Sequence, residues 1–134
     1  MNKAAEKMIL CFIEKKDILD TVKKVLESSR LRLIFEKRIN KLDYYKKDEH
    51  VQIVLIEVSI GQRAPRKFFE LLKQFTLSNP QAEVIFLVEP ENIEFAMEAV
   101  KIGKFQYSKL PVREEELKVL VQSAIEETRV IQDE

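Results

Sequence analysis

The sequence predicts a single-domain α/β protein with helices on both faces of a five-stranded parallel sheet. Short apolar segments alternate with amphipathic segments about five times along the 134 residues. The run 51–58 is almost continuously apolar and β-branched, as a central parallel strand is when both of its faces are covered. No linker, repeat or low-complexity stretch divides the chain. Five βα units of this size predict a doubly wound three-layer (βα)5 sandwich with strand order 2-1-3-4-5.

Each predicted element follows from its local pattern. The predicted strands are residues 8–13, 31–35, 51–58, 83–88 and 105–108. The predicted helices are one beginning at Asp17, a short one at 38–47, then 66–77, 91–102 and about 113–130, with a tail at 131–134. We expect a loop at 61–65. Pro80 ends the third helix, because the residue before a proline disfavours the α conformation, and Gly103 is expected at the C′ position of the fourth.

Composition excludes several function classes. The chain has 23 basic and 23 acidic residues, so it has no net field that would attract nucleic acid or an anionic membrane surface. Its apolar runs are too short to span a bilayer and its first residues do not form a signal sequence, so a cytoplasmic location is expected. Cys11 is the only cysteine, which excludes an internal disulfide and a cysteine zinc cluster. Its place within the first strand predicts a small core residue.

The alternation of strands and helices, together with the glycine and proline residues at their ends, resembles the receiver domain of two-component response regulators, the CheY-like branch of flavodoxin-like folds. The resemblance covers essentially the whole chain. It is strongest in residues 69–75 with the Asn79-Pro80 pair, and in residues 96–107, where an alanine-rich helix ends at Gly103 before an aromatic strand. The second stretch is similar to receivers at the front of sigma-54-dependent regulators. The resemblance implies a role in phosphorelay signal transduction.

The resemblance also assigns the positions of the family's phosphorylation site. The matching residues are Glu57 at the acceptor position, Ile13 and Glu14 at the acidic pair, Val88 at the threonine or serine position, Tyr107 at the aromatic switch, and Leu110 at the lysine position before Pro111. Of these, only Tyr107 and Pro111 are as the family has them. The loop after Glu57 is also about three residues longer than is usual in the family and contains Arg63.

These substitutions remove most of what phosphoryl transfer needs, which is positioning and neutralisation of charge. Glu14 and Glu57 still offer carboxylate oxygens, so Mg²⁺ is possible, but we do not expect a metal or any other cofactor. Val88 and Leu110 donate no hydrogen bond to a phosphoryl group, and each lost donor costs about 2–4 kcal/mol by analogy with oxyanion holes. Lys109 does not replace the missing lysine, because neighbouring strand residues point to opposite sides. We therefore expect neither phosphotransfer nor enzyme activity.

Two residues and one basic cluster each have a functional and a structural interpretation. Glu57 is one methylene longer than aspartate, so its carboxylate could reach the phosphoryl position and hold the domain in an active-like conformation. Alternatively, it is a solvated carboxylate that is tolerated at a strand end. In the family, the aromatic switch residue moves inward when the threonine hydroxyl binds the phosphoryl group. Because Val88 has no hydroxyl, we expect Tyr107 to be a fixed packing or interface residue. The basic cluster of Arg63, Arg66 and Lys67 could bind an anion, but short basic runs are usually solvated helix starts, which is what we expect here.

The leading hypothesis is a degenerate receiver that acts through protein–protein interaction without phosphotransfer. The resemblance implies a homodimer or partner contact through the face of helix four, strand five and helix five, and no contact with nucleic acid or membrane. The expected members of this face are Glu94, Glu98, Lys101, Tyr107, Lys118 and Gln122. The alternative is a working phosphoacceptor that uses Mg²⁺ with Glu57. A nucleotide-binding flavodoxin-like enzyme is disfavoured, because neither of the two glycines follows the first strand.

Overall fold

The computed structural model describes residues 7–103 and 105–133, except for the side chains of Val100 and of 127–133. The strands are β1 (Met8–Phe12), β2 (Arg32–Glu36), β3 (Val51–Glu57), β4 (Glu83–Val88) and β5 (Phe105–Lys109). The helices are α1 (Lys16–Leu26), α2 (Ser59–Gln62), α3 (Pro65–Ser78), α4 (Ile93–Val100) and α5 (Glu114–Asp133). Two 3-10 helices cover Ile39–Tyr45 and Pro90–Asn92.

The five strands form one parallel sheet in the order β2-β1-β3-β4-β5, which confirms the predicted fold class and strand order. In this register Glu57 pairs with Leu87 and Val88 pairs with Lys109. The carboxyl ends of β1, β3, β4 and β5 therefore meet at one edge of the sheet, where functional groups of such folds collect.

Each face of the sheet carries its own apolar core, because successive strand residues point to opposite sides. On one face, α3 and α4 contribute the buried residues Phe68, Leu72, Phe75, Ala96 and Ala99. On the other, α1 and α5 contribute Ile18, Val22, Val25, Leu26, Leu117, Val121 and Ala124. All seven residues of β3 are buried, as expected for a central strand covered on both sides.

The connection between β2 and β3 differs from the prediction. A 3-10 helix at Ile39–Tyr45 replaces the short helix expected at 38–47. Its exit is held by Asn79, which is 1% exposed. The Asn79 side chain accepts a hydrogen bond of 2.9 Å from the Lys47 backbone N–H and donates to the carbonyls of Tyr45 (3.2 Å) and Asp48 (2.9 Å). Asn79 therefore not only ends α3 but also fastens the loop that leads into β3.

Two glycines lie in places that the sequence did not predict. The expected loop at 61–65 begins inside a helical turn, because Gly61 belongs to α2. A Cβ on Gly61 would lie 2.4 Å from the Phe68 ring, so glycine allows α2 to pack directly against α3. Gly103 is not at the C′ position, because α4 ends at Val100 with Lys101 as its C-cap. It instead lets the backbone approach Thr76, whose Cγ2 would be 2.8 Å from an added Cβ.

Other boundaries shift by a few residues. The fourth predicted helix, 91–102, is divided into a 3-10 turn at Pro90–Asn92 and the shorter α4. The Leu110–Pro111 peptide bond is cis. Among residues 7–103 and 105–133, no helix combines the length and apolar character that a membrane crossing requires.

Candidate functional site

Glu57 is the centre of the carboxyl edge, and its carboxylate is buried. Only 1% of the residue is exposed. Its Oε1 accepts hydrogen bonds from the backbone N–H groups of Glu14 (2.9 Å) and Lys15 (3.1 Å), which lead from β1 into α1. Its Oε2 accepts a hydrogen bond of 2.6 Å from the hydroxyl of Ser59, the first residue of α2. The interpretation of Glu57 as a solvated carboxylate is therefore wrong, because burial is compatible with this group only when its oxygens are hydrogen-bonded.

Arg63 supplies a positive charge to the same edge. Arg63 is the C-cap of the single-turn helix α2 and lies two residues before α3 begins. Its guanidinium forms a hydrogen-bonded ion pair with Glu14. The hydrogen bond and charge of Arg63 lower the pKa of the Glu14 carboxyl. The pKa of Arg63 is raised in turn, first by Glu14 and to a smaller degree by the charge of Glu57. Arg63, Arg66 and Lys67 are all exposed, so the prediction of a solvated cluster holds for all three. The sequence did not predict that Arg63 pairs with Glu14.

A second ion pair crosses the edge between β1 and β4. Lys15 lies 3.6 Å from Glu89, the residue that follows Val88. Both side chains are partly exposed, so the pair contributes little to stability. Its consequence is electrostatic. The two more exposed carboxylates of this edge, Glu14 and Glu89, are each paired with a basic side chain, that of Arg63 or of Lys15.

Hydrocarbon side chains form the rest of this edge. Ile13 (2% exposed) and Leu110 (8%) belong to the core on the side of α1 and α5. Val88 is completely buried in the core on the opposite side of the sheet. Lys109 is exposed, whereas Leu110, one residue later, is buried. Of these four residues, only Lys109 carries a polar side-chain group, and it lies in solvent.

Neither carboxylate is arranged as an open ligand for Mg²⁺. Magnesium requires oxygens in nearly octahedral geometry and keeps several waters. Both oxygens of Glu57 already accept hydrogen bonds, and Glu14 is bound by Arg63. Within the described part of the chain, no group of three or more histidine, cysteine, aspartate and glutamate side chains could hold a metal. The donor set therefore fits Mg²⁺ poorly.

The face of α4, β5 and α5 has a different membership from the predicted one. Tyr107 (39% exposed) and Met97 (44%) present apolar surface there, and Glu94, Glu98 and Lys101 are exposed on α4 or just beyond it. Lys118 and Gln122, however, lie on the side of α5 that faces α1. On α5, Glu116 is the residue that turns toward β5, where its carboxylate accepts a 3.5 Å hydrogen bond from Ser108. Assigning Lys118 and Gln122 to this face was therefore wrong, because they occupy a different helical phase.

Sequence reasoning missed three residues of the carboxyl edge: Ser59, Arg63 and Glu89. The longer loop after Glu57 was the available signal, since added residues next to a strand end often bring a new side chain to the site. For Ser59, a hydroxyl two residues after a buried carboxylate is a local hydrogen-bond donor. The strand order brings the ends of β1 and β4 to the same edge, but nothing in the sequence shows that the partly exposed side chains of Lys15 and Glu89 turn toward each other.

Several solved structures share this fold. The signal receiver domain of an HD domain-containing protein from Pseudomonas fluorescens Pf-5 aligns with a TM-score of 0.79 at 17% identity, over 99% of this chain and 96% of that one. A response regulator receiver domain protein from Clostridium thermocellum gives 0.77 at 20% identity, over 93% and 98%. NtrX from Brucella abortus gives 0.77 at 18% identity, over 96% of this chain and 28% of that one.

Comparison by sequence gives less. No protein-family model matches the chain, and no curated protein matches it either. At identities of 17–20% the structural likeness concerns the fold and not the chemistry of the site. On these alignments, the chain has the fold of response regulator receiver domains.

Proposed function

We propose that this chain is a receiver-like signalling domain that acts by protein–protein interaction and does not accept a phosphoryl group. The observation that carries the proposal is the engagement of both Glu57 oxygens by donors of the chain itself. A carboxylate that attacks a phosphoryl donor must present a free oxygen in line with the bond that breaks. Glu57 would first have to release Ser59 or the two backbone N–H groups.

The surrounding charges support the same proposal. In phosphoryl transfer, a metal ion and a basic side chain neutralise the charge that develops on the phosphoryl oxygens. Here the cation nearest to the two acids is Arg63, and it is already paired with Glu14. The positions filled by Ile13, Val88 and Leu110 add only hydrocarbon. The charges of the site therefore neutralise each other, and few positive charges or hydrogen-bond donors remain to bind an incoming phosphoryl group.

The proposed interaction surface is the face of α4, β5 and α5. Met97 and Tyr107 present apolar groups, and exposed charges from Glu94, Glu98 and Lys101 surround them. An apolar centre with a polar rim is typical of protein interfaces. The partner is a second copy or another protein, and the setting we propose is the cytoplasm. The balanced charge of the chain gives nucleic acid and membrane surfaces no attraction to it.

The deciding experiment is treatment with acetyl phosphate and Mg²⁺, followed by measurement of the intact mass. A receiver that retains the full set of phosphorylation residues serves as the positive control. We expect no added mass on this chain under conditions that modify the control. The addition of one phosphoryl group that disappears in Glu57→Ala would reject the proposal in favour of a phosphoacceptor that uses Glu57.

The interaction surface has a separate test. Sedimentation velocity over a range of concentrations measures self-association, and Met97→Glu places a charge in the apolar centre of the proposed face. Leu77→Glu is the matched control, because Leu77 is also an exposed apolar residue (74%) but lies on α3. We expect only Met97→Glu to weaken a dimer. A dimer that persists in Met97→Glu and is lost in Leu77→Glu would place the interface elsewhere.

A further inference from the structure

A groove of about 780 Å³ opens at the edge of the sheet opposite Glu57, between the end of α1 and the middle of α5. It is independent of the carboxyl edge and of the proposed interaction face. Its volume lies within the range of small-molecule sites, about 300–1,000 Å³. The side chains of Val25, Leu26, Val121 and Ile125 form its apolar wall.

An irregularity of β3 places Gln52 in this groove. The register between β1 and β3 pairs Met8 with Val51 and Ile9 with Ile53, so Gln52 is an extra residue without a partner on β1. Such bulges turn a side chain in a new direction, and they occur often beside functional sites. Gln52 is only 7% exposed and lines the groove, and its Oε1 has no hydrogen-bond partner. A buried amide oxygen without a partner is uncommon and needs an explanation.

Ser29 is a second unsatisfied polar group at the same place. Its backbone N–H closes the turn after α1 by donating to the carbonyl of Leu26 at 3.0 Å. Its hydroxyl also lines the groove, and it is buried without a hydrogen-bond partner. A hydroxyl and an amide oxygen that are buried beside one groove and lack partners are what a ligand with a hydrogen-bonding edge would satisfy.

The charge of the groove indicates the sign of such a ligand. Lys7, Arg30 and Lys118 line it, and none of its described lining residues is acidic. Lys118 lies 3.6 Å from Glu115 on the same helix, and Lys7 reaches the carbonyl of Glu49 at 3.5 Å. Arg30 is exposed, and its guanidinium suits a phosphate or carboxylate, which it can bind through two hydrogen bonds.

We infer that this groove binds a small nucleotide, with its base against the apolar wall and its phosphate toward Arg30. The base edge would pair with the amide of Gln52, since a glutamine amide offers a donor and an acceptor side by side, as an adenine edge does. The lysines at positions 7 and 118 would add to the attraction for the phosphate. Binding here uses neither Glu57 nor a glycine-rich loop after β1.

The test is a titration of the full chain with AMP, followed by ¹H–¹⁵N NMR spectra, which the 15.8 kDa mass allows. We expect saturable shifts in residues of the groove, such as Val121 and Ser29. Adenosine and inorganic phosphate, used as separate probes, are each expected to bind at least about tenfold more weakly, because each lacks half of the recognition. Since that factor corresponds to about 1.4 kcal/mol, it is well resolved by titration.

Two variants locate the binding. Gln52→Leu keeps the volume but removes the amide, and Arg30→Ala removes an exposed guanidinium without threatening the fold. We expect each to weaken AMP binding about tenfold, whereas Lys73→Ala, an exposed change on α3, leaves it unchanged. Absence of saturable shifts with AMP overturns the inference, as does binding that neither groove variant alters. Nuclear Overhauser contacts between residues 2–6 and Val121 in the free protein also overturn it, because the chain would then fill its own groove.

Discussion

The backbone N–H of Glu14 donates a 2.9 Å hydrogen bond to the carboxylate of Glu57, 43 residues later in the chain. The bond joins the end of β3 to the turn between β1 and α1. Because Lys15 donates to the same oxygen, Glu57 caps two N–H groups at the start of α1. The residue in the acceptor position therefore has a structural task, and removing it has a measurable cost in stability.

We predict that Glu57→Leu lowers the free energy of unfolding by about 2–5 kcal/mol, because it leaves two backbone donors and Ser59 without their acceptor. Glu57→Gln loses the charge and replaces one acceptor oxygen with an NH2 donor, but it keeps the other oxygen, and the Ser59 hydroxyl can turn to accept from the NH2 group. We therefore expect a smaller loss of about 1–2 kcal/mol. Urea unfolding followed by circular dichroism measures both values.

The matched control for Glu57 is Glu94→Gln, which changes an exposed glutamate on α4. We expect it to alter stability by less than about 0.5 kcal/mol. If Glu57→Leu were as stable as the unmodified chain, the carboxylate would not hold the turn after β1, and the structural role assigned to it would be wrong.

A second prediction concerns Arg63, which lowers the pKa of Glu14. In Arg63→Gln we expect that pKa to rise toward its ordinary value of 4.5. Because the pKa is lowered in the folded state, the pair stabilises the fold above about pH 4.5, and this contribution is lost as the pH falls through the lowered pKa. Carboxyl ¹³C NMR of Glu14 measures the titration directly.

Arg66→Gln is the control for Arg63, since it removes an exposed guanidinium only three residues further along. We expect it to leave the Glu14 titration unchanged. An equal rise in both variants would mean that the general positive charge of this region, and not the Arg63 contact, sets the pKa.

The fold was predictable because its signals are local and repeated. The continuous apolar run of β3 and the helical spacing in α1 and α5 each agree with the final structure. The 3-10 helix at Ile39–Tyr45 was less predictable, since its periodicity was weak and its exit depends on Asn79, more than thirty residues later. Where a distant side chain decides the backbone path, local pattern is insufficient.

The site was predictable only in part. The resemblance identified Glu57 and the hydrocarbon at Ile13, Val88 and Leu110, and these residues do lie at or near the carboxyl edge. The direction of the Glu57 carboxylate was not predictable, because it depends on which donors surround it once the strands have assembled. Arg63 was treated as one of several basic residues, since its pairing with Glu14 requires the turn of α2.

That turn depends on Gly61, and we predict that Gly61→Ala is destabilising by about 1–3 kcal/mol. An added Cβ would lie 2.4 Å from the Phe68 ring, which is itself 1% exposed and has little room to move. Phe68→Leu removes part of that ring, so the double variant should lose less than the sum of the two single changes. Thermal unfolding of the four proteins gives the coupling energy, and strict additivity would contradict the proposed contact.

The last prediction concerns Cys11, which is completely buried in β1. Burial raises the pKa of its thiol from 9.0 to about 12. Since the thiolate is the reactive form, we expect the folded chain to react with a disulfide reagent at pH 8 only as fast as it unfolds. The urea-unfolded chain should react at once.

The same shift has a consequence for stability. The neutral thiol is favoured in the folded state, so its contribution is fully present below pH 9 and is lost as the pH rises toward 12. Other groups also titrate between pH 9 and 12, but both the unmodified chain and Cys11→Ala contain them, so their effect cancels when the two proteins are compared. We therefore expect the stability of the unmodified chain to fall more steeply than that of Cys11→Ala, by up to about 1.4 kcal/mol per pH unit. Parallel curves would show that Cys11 is accessible to water, and rapid modification at pH 8 would lead to the same conclusion.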